Sequence, residues 1–238
     1  MASVPPFPPL PETLEDTSSA INVAIASLKL SFELAPADFD KAYPRLADGS
    51  HKRVRKIKNE KRYLFAHALS ARDNASVLQE LEAYERFHAA GVRTAQVSAL
   101  VVVPLSANCG LKGLNGFLVE FLSGDKIKPL ECAPTKYTGN SFDLLWSKSP
   151  LLTRASKGKP TKEADYRALI EDLEKLYKFS KTKGVYDFQG IYQDSHFTLI
   201  DPPQTAAPKE EHAKKLCWLM QMLNARCVPK AKLPKDCT

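Results

Sequence analysis

The spacing of apolar residues changes character once along this chain. Up to about residue 122 they come in short runs, Val54–Ile57, Tyr63–Leu69, Gln96–Leu105 and Gly116–Leu122, separated by polar turns and glycine. Runs of that length suit strands buried on at least one face, although the alanine-rich run from Tyr63 also fits a helix. One segment breaks the pattern: Val77, Leu81, Tyr84 and His88 recur at helical spacing over Ala75–Ala90, and Gly91 ends it. Beyond residue 160 the spacing is helical. Tyr166, Leu169, Ile170, Leu173, Leu176 and Tyr177 form one apolar stripe between an N-cap at Thr161 and a stop at Gly184. Leu216, Cys217, Met220 and Leu223 form another over about Lys209–Asn224, and two short strands near Gly190–Tyr192 and Phe197–Ile200 lie between the two stripes. Strands with one helix, followed by helices with one hairpin, make an α+β chain.

The change falls near Ser123-Gly124-Asp125, which separates a first lobe, 21–122, from a second, 123–227. Residues 1–20 are rich in Pro, Ser and Thr and read as a flexible leader; 228–238 reads as a loose tail. The apolar share of 44% and charged share of 26% are those of an ordinary globular chain. The longest apolar run, Ala99–Leu105, has the length of a buried strand and is too short to span a bilayer. No basic segment precedes an apolar core at the N-terminus, so no secretory signal peptide is expected. Five cysteines without a CxxC pair point to reduced thiols in a cytosol. The net charge of +7 comes without a nucleic-acid-binding motif. A nucleotide site or an acidic protein partner accounts for it better than nucleic acid.

The sharpest chemistry lies in VYDFQGIYQDSHFTLIDPP, residues 185–203. Asp187 follows the end of a long helix, and Asp201 follows the apolar run Phe197-Thr198-Leu199-Ile200, fourteen residues later. A tight hairpin between them returns both carboxylates to one edge. Phosphoryl transfer uses such a pair, one acid to orient the attacking hydroxyl and one to hold the magnesium that bridges the phosphates. The segment resembles the catalytic-loop and metal-binding hairpin of the protein kinase-like superfamily. Upstream, Leu46–Val54 resembles a degraded glycine-rich loop with Gly49, Ser50 and Val54 at matching positions. Tyr63–Leu69 takes the place of the third strand, and Ala75–Ala90 that of the small-lobe helix, with Glu80 on its apolar side and Glu82 turned away. GFLVEFLSGD, with Glu120, resembles the strand leading to the adenine-binding hinge.

This resemblance spans about Arg45 to Asn224 and implies a two-lobed minimal kinase-like fold, with an antiparallel sheet plus one helix and then a reduced helical lobe. It implies ATP and Mg2+ as cofactors and a protein serine/threonine kinase acting on a protein substrate. Asp187 would orient the acceptor, Asp201 would hold magnesium with Gln189 assisting, and backbone groups at Glu120–Leu122 would bind adenine. Only 37 residues follow Asp201, a brevity similar to that of the minimal kinases some bacteria deliver into host cells. That implies a virulence effector, cytoplasmic or exported to a host cytosol without a classical signal peptide.

The chain departs from the family at several points. Strand three carries His67 where a lysine is expected, with Lys58 the nearest substitute; Val185-Tyr186 precede the catalytic acid. Tyr192 stands where a metal-binding asparagine belongs, leaving Gln189 or Asp194, and Pro202-Pro203 follow the metal acid. Each candidate also has a plainer role. Asp187 and Asp201 also fit solvated loop acids, Glu80 a helix surface, His67 a packed core histidine, and Gln189 a hydrogen-bonded loop residue. Lys52, Arg53 and Arg55 fit a solvated strand face. The competing functions are an inactive kinase-like binding module, a small-molecule kinase, and transfer of another group from ATP on the same fold.

Overall fold

The computed structural model describes residues 30–122, 163–183, 189–193, 196–200, 202, 210–226 and 231–237. The described residues are α+β: a five-stranded antiparallel sheet, a separate two-stranded hairpin and four α-helices. They fall into two compact units, with divisions after Leu78, Ala95 and Glu120.

The first unit begins with helix α1 (Pro36–Ala42), which has proline at its start, Asp38 in its first turn and Lys41 in its last. Strands β1 (Arg45–Asp48), β2 (Lys52–Lys56) and β3 (Tyr63–Ala68) follow, then β4 (Val101–Val102) and β5 (Asn115–Glu120), in the order β1-β2-β3-β5-β4. The β2–β3 connection turns at Asn59, whose φ of 67° lies in the left-handed region that asparagine tolerates better than most residues. Register fixes the two faces of this sheet. Val54 pairs with Ala66 and Lys52 with Ala68, while Arg53 pairs with His67 and Arg55 with Phe65. The Arg55 face is covered by aromatic rings. Phe32 lies 6.0 Å from Phe65 and 6.3 Å from Phe39, whose ring is tilted against Tyr43 at 4.5 Å.

The run Ala99–Leu105 is not a buried strand. Only Val101–Val102 pairs with β5, Val97 makes one bridge to Val119, and Val102 and Leu105 are 57% and 80% exposed. It lies at the edge of the sheet, and Pro104 removes a donor just where the strand would continue.

Helix α2 (Asn74–Ala89) crosses the first division. It ends as glycine-terminated helices do: Gly91 has φ 76°, Gly91 N donates to His88 O, and Val92 N donates to Phe87 O. Phe87 and Val92 then join the core of the second unit, with the stripe of α3 (Glu163–Thr182) and Leu216, Leu219, Met220 and Leu223 of α4 (Glu210–Arg226). All six residues of the Tyr166–Tyr177 stripe are buried.

Two expectations fail at the C-terminus. Residues 231–237 are packed rather than loose: Leu233 lies against the core, and a 3-10 turn at Lys235–Cys237 buries Cys237. Cys237 forms a disulfide with Cys217 of α4, so these two thiols are not reduced. They stand twenty residues apart, and only the fold brings them together. Cys109 is a buried free thiol. Among the described residues no helix is long and apolar enough to cross a membrane.

Candidate functional site

The β1–β2 hairpin turns through Gly49, Ser50 and His51. Gly49 N donates to Lys52 O at 2.8 Å, which uses the amide of Gly49 to close the turn. Asp48 is held by Arg53, whose Nε donates at 2.9 Å, and by the guanidinium of Arg45. His51 Nδ1 lies 3.1 Å from Asp73, which also accepts from Ser70 Oγ at 2.6 Å. The Ser70 and His51 hydrogen bonds hold the Asp73 carboxyl below its usual range.

Val54 and His67 were both expected to meet ATP, yet register puts them on opposite faces of the sheet. His67 is 1% exposed, 5.4 Å from Phe65, and fully hydrogen-bonded. Arg55 Nε donates to its Nε2 at 3.0 Å, which leaves Nδ1 to carry the proton and donate to Ala68 O at 2.7 Å. Burial, reinforced by the charges of Arg55 and Arg53, lowers its pKa to about 4. The imidazole is therefore neutral at physiological pH and supplies no cation. It is a packed core histidine.

Arg55 corrects the expectation of a solvated basic face. It is 4% exposed, donates to Asp40 Oδ1 at 2.7 Å and Tyr43 O at 2.8 Å, and lies 5.4 Å from the centroid of the Phe39 ring. A buried guanidinium needs such partners, and α1 provides them. Lys58 is exposed in the β2–β3 turn, beyond the last residue of β2. The cations on the Val54 face are Lys52 and Lys56. Lys52 is half-buried, and its side chain runs beside the Gly49 turn, with Cγ 3.8 Å from where a Gly49 Cβ would sit.

Glu80 is half-buried on α2, whereas Glu82 is exposed and faces Arg86 at 3.8 Å. Glu120 ends β5. Its N–H donates to Gln96 O at 2.8 Å and its Oε2 accepts from Gln96 N at 3.1 Å, so its amide is taken by the chain rather than presented to adenine. Leu122 is half-buried beyond the end of β5.

In the second unit β6 (Gln189–Gln193) pairs with β7 (His196–Ile200), and Gln189 stands opposite Ile200 at the open end. Asp187 is two residues before Gln189 and Asp201 one after Ile200 in sequence; both lie outside the described residues, as does Asp194. Glycine at residue 190 lets the Phe197 ring lie against the β6 backbone. A Cβ there would lie 2.0 Å from Cε2 of Phe197. The outer edge of β7 bonds to the segment that follows α2, through one isolated bridge at Thr94: Leu199 N donates to Arg93 O and Ala95 N to Leu199 O, both at 2.9 Å.

Sequence reasoning missed Asp172. This carboxylate of α3 is 3% exposed and accepts from Phe197 N at 3.1 Å, with His196 Nδ1 at 2.9 Å. Arg93 Nε and Lys175 Nζ stand 3.8 and 3.7 Å away. Asp172 thereby fastens the start of β7 to α3. Its signal was an acid lying between Ile170 and Leu173 in an otherwise apolar stripe.

Among the described residues no group of three or more His, Cys, Asp or Glu side chains could hold a metal ion. No protein-family model matches the chain, and no curated protein matches it.

Proposed function

We propose that the protein transfers a phosphoryl group from ATP to a hydroxyl on a protein, as a minimal protein kinase-like enzyme. The observation that carries this reading is the order of the elements. A hairpin turning at Gly49, a third antiparallel strand, a helix and two further strands precede a separate hairpin whose open end adjoins Asp187 and Asp201 in sequence. In this reading Asp187 orients the acceptor hydroxyl. The Asp201 carboxylate and the Gln189 amide are oxygen donors of the kind magnesium takes. Magnesium would neutralise charge on the phosphates.

On the Val54 face the cation that best replaces the missing lysine is Lys52, beside the Gly49 turn. Glu80 of α2 would take the part of the helix glutamate. Adenine would meet the backbone at the end of β5 through groups other than the Glu120 N–H. The enzyme would act inside a host cytosol.

One observation favours a second reading, an inactive kinase-like binding module: β3 presents no cation, its only ionisable groups being Tyr63 and the neutral His67. Titration calorimetry with ATP and magnesium separates the readings. Lys52→Ala is expected to weaken ATP at least tenfold, about 1.4 kcal/mol, and Lys58→Ala to leave it unchanged. Equal affinities in both variants and the parent protein would remove Lys52 from the site. Tight binding without transfer to any protein of a lysate would favour the inactive module.

A further inference from the structure

The C-terminal segment is held by a set of contacts with one covalent member. Ala231 N donates to Asn224 Oδ1 at 2.8 Å, and Leu233 lies against the core. Asp236 pairs with Lys181, whose ammonium also sits 5.6 Å from the Tyr177 ring centroid. Gln221 Nε2 donates to Cys237 O at 2.6 Å, and the Cys217–Cys237 disulfide closes the set, with Cα atoms 5.1 Å apart. The segment and α3 together enclose a cleft of about 390 Å³, lined by Arg167, Ile170, Glu171 and Glu174 on the helix and by residues 231–235 opposite. The two cysteines differ in burial. Cys237 is 1% exposed, whereas Cys217 is partly buried against the core, next to Trp218 at 42%.

We propose that the Cys217–Cys237 disulfide is a redox-sensitive latch, which fixes residues 231–237 over α3 and α4 when oxidised and releases them, opening the cleft, when reduced. The electron donor is a dithiol reductant. One thiolate of the donor attacks Sγ of Cys217, the less buried of the two residues, a mixed disulfide forms there, and Cys237 leaves as a thiolate that takes up a proton. The second thiol of the donor resolves the mixed disulfide, freeing Cys217. Two electrons and two protons pass to the protein, and the donor becomes a disulfide. What remains afterwards is an exposed Lys181–Asp236 pair, which holds little by itself, a few hydrogen bonds and the burial of Leu233 and Cys237. Loss of a cross-link closing a loop of about twenty residues raises the open population on the order of 10²-fold in the chain-entropy account.

The test uses the full chain purified without reductant. Tryptic mapping with thiols blocked should find the peptide 216–226 linked to 236–238. The same peptide linked to 227–230, or all of these peptides with blocked thiols, would overturn the assignment. Brief trypsin treatment of the native protein then reads release directly, through cleavage after Lys232 and Lys235. A dithiol reductant should accelerate that cleavage at least tenfold, with cleavage after Arg72 as the internal control. Cys237→Ser and Cys237→Ala should cleave at the fast rate with or without reductant. Tail cleavage that reductant leaves unchanged would show that the disulfide is not a latch.

Discussion

His67 makes the stability of the first unit depend on pH. Its folded-state pKa is about 4 against an ordinary value of 6.5, because burial and the neighbouring Arg55 and Arg53 guanidinium groups oppose the imidazolium. The unfolded chain therefore binds this proton more readily than the folded one. The stability contributed by the neutral ring is fully present above about pH 6.5 and is lost progressively as pH falls toward 4. Each unit of separation corresponds to about 1.4 kcal/mol, so the whole window amounts to about 3 kcal/mol and the part between pH 6.5 and 5 to about 2 kcal/mol. Asp40, the one acid beside Arg55, opposes the shift but is largely exposed. The assay is urea unfolding at pH 7, 6 and 5 for the native protein and for His67→Gln, which keeps a polar group near Arg55. The two proteins share every other titratable group, so the difference between them isolates His67. The native protein should lose about 2 kcal/mol more than the variant between pH 7 and 5. A difference that stays flat over that range would refute the assignment of a neutral, buried, Nδ1-protonated ring.

Asp172→Ala removes the acceptor of Phe197 N and leaves Arg93, Lys175 and His196 around an uncompensated site; it should cost about 3 kcal/mol in thermal or urea unfolding. Asp172→Asn keeps one oxygen and should cost less, with faster hydrogen exchange at the Phe197 amide in either variant. Gly190→Ala forces a methyl into the Phe197 ring, an overlap that should cost about 1–3 kcal/mol. Pairing it with Phe197→Leu should give a loss smaller than the sum of the two single losses, measured by a double-mutant cycle.

The strand and helix content was legible where apolar spacing was unambiguous. The α3 stripe and the α2 stop at Gly91 follow directly from local sequence, as do the β2–β3 and β6–β7 pairings. Helix α1 went unread although Pro36 and Asp38 marked its start. It is seven residues long, and a single buried Phe39 gives no periodicity. The Ala99–Leu105 run misled because apolar character does not report whether a strand is central or at an edge. The errors at His67 and Arg55 share one cause. Alternation tells which residues share a face but not which face a separate helix will cover, and α1 covers the face bearing the arginine. The disulfide and Asp172 depend on contacts between residues twenty or more positions apart, which no local pattern carries. Asp187 and Asp201 rest on the sequence, and the register of Gln189 with Ile200 is what the structure adds beside them.

Phosphate transfer in the presence of γ-labelled ATP, magnesium and lysate proteins tests the central claim most directly, with Asp187→Ala beside the native protein. The account predicts labelled protein product from the native chain. It also predicts a ~10²–10⁴-fold loss in Asp187→Ala, with melting temperature and ATP–magnesium binding retained. An Asp187→Ala protein that transfers phosphate at the native rate would contradict the assignment of the catalytic acid, and a native protein that binds ATP but labels nothing would contradict the reaction itself.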